Sequence, residues 1–433
     1  MGQALFSTLA RDNTSSRRLH PEDSQYVEES WNTWFRTRKK GPHFARAVLV
    51  DTEDKVVNSV SQVQESSGSS WRYCRECRIS SVGGGSGNNW AYGFHVKGPE
   101  LHERVLECVR RQAEESDVPL AFLNLLSSSG GTGSGVGSYV VQELRHEFVF
   151  KKLVNVVVLP YSAGEVATQN YNTVLTLAKL YDMSDLHVVF QNDSLHRMCA
   201  ALLGEKNTQL ADMNHLMACK LASVFQPVQV YSGVSNIVSH LAAHPAFKMV
   251  TVKTAPHVSR VAEKFESILS WPVLLKHMKR SLRKVPSGSA EAVDWEIKQP
   301  LSKLPRSVVA QLVPSVTNML FTRGCVPPDV ETVSELSTRV PYCRWIPQEA
   351  RLLHFHQPRR LLSHDKFITL VSNNNLVCHP LNAIVDKAWN TFAYKAYLHH
   401  YTKYGVQEDE FNEAFLKAER ILQYYARMAK DSG

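Results

Sequence analysis

Residues 127–138 read Ser-Ser-Ser-Gly-Gly-Thr-Gly-Ser-Gly-Val-Gly-Ser, a run of small residues interrupted only by Val136. Before it stands an apolar strand-like stretch, Leu120 to Leu126, in which Asn124 alone is polar; after it Val136, Tyr139, Val140 and Leu144 fall at helical spacing. Strand, glycine loop and helix start, in that order, leave few folds open. Small residues let the backbone approach a ligand closely, and the free N–H groups and positive dipole end of the helix start attract an anion, phosphate above all. The stretch reads as a nucleotide loop.

Two common phosphate patterns are excluded. The Walker pattern needs Gly-Lys-Ser/Thr, and no lysine lies between Gly98 and Lys151; the dinucleotide pattern G-x-G-x-x-G started at Gly131 meets Val136, and started at Gly133 meets Ser138. Without a lysine, phosphate charge must be met by backbone amides, the helix dipole, the hydroxyls of Ser127, Thr132 and Ser134, and a metal ion. Asp51-Thr52-Glu53 follows an apolar strand-like run and places two carboxylates at its carboxyl end. Mg2+ is held by one or two such groups plus water and phosphate oxygens, whereas an ordinary polar turn is the blander reading.

From Ala45 to about Gln191 strand-like and helix-like runs alternate. Ala45 to Val50 is followed by a helix from Leu101 with Val105, Cys108 and Val109 on one face, then by Leu120 to Leu126, helix 136–148, strand 153–159, helix 171–182 and strand 186–190. That order predicts an α/β fold, a doubly wound parallel sheet with helices on both faces and ligands at the carboxyl ends of its strands. Asp193 is placed to cap a helix running to about Leu203; a longer helix follows with Leu210, Met213, Met217, Leu221 and Val224 on a buried stripe. A second α/β domain is expected between Pro227 and about Pro380. Val385, Ala388, Trp389, Phe392, Ala396 and Tyr397 form one terminal helical stripe, and Phe411, Phe415, Ala418, Leu422 and Tyr425 another. The expected organisation is a nucleotide-binding domain over 1–208, a central helix over 209–226, an intermediate α/β domain over 227–380 and a C-terminal helical region over 381–433. Loops are expected at the Ser-rich 61–70 and the Gly/Ser-rich 83–87.

Composition narrows the class. The longest apolar run, near Leu153 to Tyr161, is far short of the ~20 residues of a spanning helix, which argues against membrane insertion. The N-terminus lacks the layout of a secretory signal, and Phe6 stands where N-myristoylation wants Ser or Thr. Eight scattered cysteines suit a reducing compartment, cytoplasm or nucleus, and Cys74-x-x-Cys77 lacks the second half of a zinc site and reads as free thiols on a loop. The net charge of +8 includes clusters at 36–40 and 279–284. Neither has the interleaved aromatics of a base-stacking platform, so solvated faces or contacts to acidic proteins are favoured over nucleic acid.

The Gly-Gly-Thr-Gly-Ser-Gly core of the loop resembles the phosphate-binding signature of the tubulin family, and other stretches resemble that family in the expected order. Ala45 to Asp51 is similar to its second-strand segment, Ser86-Gly-Asn-Asn-Trp-Ala-Tyr-Gly93 to its next nucleotide loop, and Tyr171-Asn172 to its ribose-side loop. Phe392 to Tyr401 followed by Glu408-Asp-Glu-Phe411 is similar to its C-terminal helices. Gly164 to Asn172, Val224-Phe-Gln-Pro227, His244 to Met249 and the Asn-Asn-Trp-Ala-Tyr-Gly loop resemble the delta class of the family. The resemblance implies that Ser127, Gly130, Gly131, Thr132, Gly133 and Ser134, with Asn88 and Gln169, face a GTP or GDP nucleotide. It implies that Glu53 and Asp51 face Mg2+, and that Asn192 and Asn214 read guanine, as a carboxamide that both donates and accepts can do. It further implies a cytoskeletal role at the centriole, centrosome and cilium basal body, with alpha/beta or epsilon-like tubulins and centriolar proteins as partners.

The sequence also departs from that pattern. It starts with Met1-Gly2-Gln3-Ala4-Leu5-Phe6, similar to the family's first helix, so one strand and its Gly-Gln-Cys-Gly-Asn-Gln loop are missing, and a misassigned start codon is the expected cause. An exposed apolar sheet edge is then expected. Gln169 replaces a ribose-binding glutamate, Ser129 the first glycine of the signature, and Leu210 an aromatic that stacks on guanine. The acidic tail is absent. Asn236 falls at the position of the acid that activates water on a neighbouring subunit's GTP, and a carboxamide is no general base; at most weak GTPase activity is expected. A self-sufficient GTPase, a nucleotide-free regulatory tubulin-like protein, a dinucleotide oxidoreductase and a prokaryotic-type division GTPase are the competing readings.

Overall fold

The computed structural model describes residues 1–14, 21–37, 41–66, 69–116, 121–164, 166–203, 208–228, 233–257, 270–282, 312–362 and 364–431. Seven strands form one sheet in the order Leu352–Gln357, Ser315–Gly324, Lys366–Asn374, Met249–Ala255, Leu186–Gln191, Lys152–Leu159, Ala121–Ser127. The last four run parallel, while Lys366–Asn374 is antiparallel to both of its neighbours. Only two residue pairs, His187 with Met249 and Val188 with Val250, join the two halves of the sheet.

The strand Lys152–Leu159 explains the layering. Its Leu-Val-Asn-Val-Val-Val-Leu run is buried on both faces, as a central parallel strand must be. Leu153, Val157 and Leu159 enter one core with the helices Gly137–Glu147, Gln169–Met183, Cys378–Ala393 and Glu408–Asp431. Val154, Val156 and Val158 enter the other with Gly2–Thr14, Asn192–Leu203, Leu210–Phe225 and Val234–Leu241. Each such side chain contributes about 1.5–3 kcal/mol on burial. A third core lies between the far half of the sheet and the helices Trp271–Ser281 and Val330–Arg339.

Several local expectations are corrected. The single strand over 45–50 is two, His43–Ala45 and Leu49–Asp51, in separate small sheets. The break is a tight turn in which the Ala47 amide donates to the Ala45 carbonyl at 2.9 Å while the Arg46 amide donates to that of Trp34. The expected loop over 61–70 is helical to Ser66, carried by Val57 and Val60 packing inward. Asp193 is not the cap of the helix Asn192–Leu203 but lies in its first turn, accepting the Ser162 amide at 2.7 Å. Leu210, expected on the buried stripe, is 69% exposed because it opens the helix one step before the stripe turns inward; Met213, Met217, Leu221 and Val224 are buried as expected. The helix Cys378–Ala393 stops short of Ala396 and Tyr397, and Trp389 stays partly exposed. Cys74 and Cys77 are free thiols in the turn between Trp71–Tyr73 and Arg78–Ser80, as expected; Cys77 is buried there, which pushes its pKa up to about 12. Residues 38–40 and 283–284 of the basic clusters lie outside the described residues, while Arg36 pairs with Glu115.

At the edge of the sheet, residues 121–125 of the strand Ala121–Ser127 are only half-buried, although Phe122, Leu123 and Leu125 are apolar. Its neighbour Lys152–Leu159 is buried from Leu153 onwards. The strands Leu49–Asp51 and Arg78–Ser80 pair with each other in a separate parallel sheet. No helix of the described residues is long and apolar enough to cross a membrane.

Candidate nucleotide-binding site

The carboxyl ends of three adjacent parallel strands carry the candidate residues: Ser127 closes the first, Tyr161 follows the second, and Asn192 directly follows the third. Such ends are where doubly wound sheets take ligands.

The glycine loop is anchored at its start and wound tightly at its end. The Ser128 amide and hydroxyl both donate to the Val158 carbonyl, at 3.1 and 3.2 Å. A π turn, Thr132–Val136, then leads into the helix Gly137–Glu147. Its first hydrogen bonds run from the Gly135 and Val136 amides to the Gly131 carbonyl, at 2.9 and 3.3 Å. The amides of Thr132, Gly133 and Ser134 precede those bonds and have no partner among the described residues. At Gly131 a Cβ would lie 2.4 Å from Ser86 Oγ, and at Gly135 one would lie 2.3 Å from the Trp90 carbonyl oxygen. Glycine is required at both because two loops meet there backbone to backbone.

Side chains lock the loops together. The Thr132 hydroxyl stands 2.7 Å from that of Thr52 and 3.0 Å from that of Ser86, joining the loops at 51–53, 86–92 and 127–134. The buried Ser134 hydroxyl donates to the Gly130 carbonyl, so it is spent inside the loop. Ser127, exposed, shares a hydrogen bond with Ser129 at 3.1 Å. Asn88 adopts a left-handed backbone, with φ of 50°, beside Gly130. Gln169 is buried and donates to the Tyr161 carbonyl at 3.0 Å.

Asp51 is half-buried, its carboxylate accepting the Glu53 amide at 3.1 Å. Burial raises its pKa, the Glu53 charge adds to the rise, and the amides of Glu53 and Thr52 oppose it. Glu53 itself is partly exposed, pairs with Lys55 at 3.1 Å and lies against Gly85. Among the described residues no group of three or more His, Cys, Asp or Glu could hold a metal. Two neighbouring carboxylates beside hydroxyls form a hard oxygen set, which fits an ion that takes its remaining ligands from phosphate and water.

On the far side, Asn192 opens the helix Asn192–Leu203 and Asn214 sits on the helix Leu210–Phe225. Both are half-buried, and neither carboxamide is hydrogen-bonded among the described residues. The Tyr161 hydroxyl bridges the two helices, 3.4 Å from His196 and 3.5 Å from the Met213 sulfur. Leu210 heads the second helix, exposed. Asn236 lies apart, exposed in the first turn of the helix Val234–Leu241.

The residues that hold the loops in place were legible in the sequence only as members of those loops, without this role. Thr52 and Ser86 were legible only as neighbours of chosen positions. Asn172 is fully buried and spends its whole carboxamide: Oδ1 accepts from the Trp90 amide at 3.0 Å and the Tyr401 hydroxyl at 2.6 Å, and Nδ2 donates to the carbonyls of Asn88 and Ser129, both at 2.8 Å.

Residues 1–200 match the Tubulin/FtsZ family, GTPase domain. The chain is 35% identical to the tubulin delta chain of Macaca fascicularis, over 99% of this chain and 97% of that one. It is 34% identical to the tubulin delta chain of Homo sapiens with the same coverage. Against the tubulin beta-2 chain of Emericella nidulans the identity is 25%, over 98% of this chain and 91% of that one.

Proposed function

Because the chain belongs to the tubulin family, we propose that it is a delta-type, GTP-binding cytoskeletal protein that acts in centriole and basal-body microtubule organisation and in cilium assembly. The observation that carries the nucleotide reading is hydrogen-bonding capacity left over in one place. The amides of Thr132 to Ser134 at one end, and the carboxamides of Asn192 and Asn214 at the other, have no partner within the described residues. Donors and acceptors left over on facing loops and helices are what a polar ligand satisfies.

In this reading the amides of Thr132, Gly133 and Ser134 and the dipole of the following helix hold the phosphates, with Ser127, Gly130 and Gly131 forming the loop's open rim. Asn192 and Asn214 read the guanine edge, Leu210 covers the base with an aliphatic face in place of an aromatic one, and Asn88 and Gln169 line the ribose side. Asp51 and Glu53 hold Mg2+ through oxygen, and the ion supplies charge neutralisation that the missing lysine does not. GTPase activity is at most weak: Asn236 takes up no proton from water, so it does not activate hydrolysis in a neighbouring subunit.

Equilibrium binding of a fluorescent GTP analogue to the full chain, with and without Mg2+, tests this directly. Binding is expected, weakened at least about ten-fold by EDTA and by Asn214→Ala, the latter from loss of paired base-edge hydrogen bonds. Preference for NAD, or binding indifferent to both changes, overturns the reading. If GTP turnover in a GTP-loaded partner tubulin rises on adding this chain and the rise is lost in Asn236→Ala, the hydrolysis statement is wrong. The partners proposed are other tubulins and centriolar proteins. Contacts from the basic surface to acidic tubulin faces predict co-sedimentation with microtubules that weakens as salt rises.

A further inference from the structure

The C-terminal segment after the helix Cys378–Ala393 reaches into the loops of the candidate site. Asn89 Nδ2 donates to the His400 carbonyl at 2.8 Å, Tyr171 OH to the Ala396 carbonyl at 3.1 Å, and Tyr401 OH to Asn172 Oδ1 at 2.6 Å. The rings of Tyr92 and Tyr404 lie 4.6 Å apart, and from within the preceding helix Lys387 Nζ donates to the Ser162 carbonyl at 2.6 Å. Asn172 is the point where these connections meet the glycine loop. A carboxamide has two donor hydrogens and two acceptor lone pairs, and all four are used here: two on the loop at 88–90, one on Ser129, one on Tyr401. Both residues are fully buried, so no water can take over a lost bond without opening the packing.

We propose that Asn172 and Tyr401 are positioning residues that couple the seating of the segment 396–404 to the phosphate affinity of the glycine loop. When Tyr401 is docked, its hydroxyl fixes the Asn172 amide plane, and that plane sets the spacing between the Asn88 and Ser129 carbonyls. The amides of Thr132 to Ser134 follow directly from the Ser129 end. By linkage, nucleotide at the loop stabilises the docked segment to the same degree that the docked segment favours nucleotide. The nucleotide arm of this proposal rests on GTP binding at this loop.

The test compares Tyr401→Phe with Tyr425→Phe in the full chain. Tyr425 is an equally buried tyrosine whose hydroxyl bonds Asn373 and Met249, away from the loops. Deleting either hydroxyl lowers Tm to a similar extent. Only Tyr401→Phe is expected to weaken GTP-analogue binding, by about ten-fold, and to speed amide hydrogen exchange at 88–90 and 129–131. Adding Tyr401→Phe to Asn172→Ala is expected to cost nothing further in affinity. Equal affinity and exchange in Tyr401→Phe and the parent overturn the proposal, as does an equal loss of affinity in Tyr425→Phe. If the parent itself fails to bind GTP, the nucleotide reading falls, and exchange alone decides the coupling: faster exchange at both loops in Tyr401→Phe upholds it, and unchanged exchange overturns it.

Discussion

The glycine loop and the segment that follows the helix Cys378–Ala393 invert the usual association of glycine with unusual backbone. None of the loop's glycines from Gly130 to Gly137 has a positive φ, whereas Lys395 and Tyr397 take left-handed backbone at 51° and 63°. In the loop glycine is selected for volume: at Gly131 and Gly135 a methyl group would enter a neighbouring loop. In the segment ordinary side chains are held in a conformation that costs roughly 1–2 kcal/mol each. Surrounding contacts hold them there, among them the Lys395–Glu408 ion pair at 2.8 Å and the buried Leu398 and Tyr401. One region is shaped by what is missing, the other by what is attached.

The most severe challenge to this contrast is Gly135→Ala. With the Trp90 carbonyl 2.3 Å from the new Cβ, the two loops must separate; a destabilisation of about 3 kcal/mol or more and a loss of GTP-analogue binding of at least about 100-fold are expected. Unchanged binding would show that the loops are not held by close approach. Smaller and opposite in sign, Lys395→Gly is expected to stabilise the chain by about 0.5–1 kcal/mol in denaturant titrations, since relief of the left-handed backbone outweighs an exposed ion pair. Gly137→Ala sharpens the contrast inside the loop itself. Its nearest neighbour would be a Leu126 carbon at 3.6 Å, an ordinary contact, so gain of helix propensity should raise stability by about 0.5–1 kcal/mol with binding retained. The smallest effect expected is electrostatic. Because the Asp51 pKa is raised in the folded chain, its ionisation costs stability at neutral pH, and that cost is relieved as pH falls through the raised value toward 3.8. Asp51→Asn should therefore raise Tm slightly at pH 7 without nucleotide, flatten that part of the pH profile, and remove the Mg2+-dependent part of GTP affinity.

Much of the parallel half was legible because its periodicities are strong. Leu153 to Leu159 could only be a strand buried on both faces, and the stripe from Phe411 to Tyr425 could only be a helix against a core. Reading failed where local signals conflicted with tertiary contacts. A turn hidden within Ala45 to Val50 depends on hydrogen bonds from Arg46 to Trp34 and Glu115, which no spacing rule reveals. The serines at 61–66 read as loop because their pattern is polar, but Val57 and Val60 anchor a helix that carries them. At the site, glycine and carboxylate chemistry announced Gly131, Thr132 and Asp51. Asn172 was legible only as part of a ribose-side loop; its bridging role stayed hidden because it comes from four partners, all of them distant from it in sequence.

The strand Lys152–Leu159 acts as the fold's reading frame. Since its odd residues from Leu153 feed one core and its even residues the other, a one-residue insertion or deletion within it would transpose every side chain between two separately packed interiors. Length changes should be accepted at its ends, in the turn at 148–151 or the loop at 160–164, and nowhere between. Substitutions there can be absorbed one at a time, but a frameshift of shape cannot be absorbed at all.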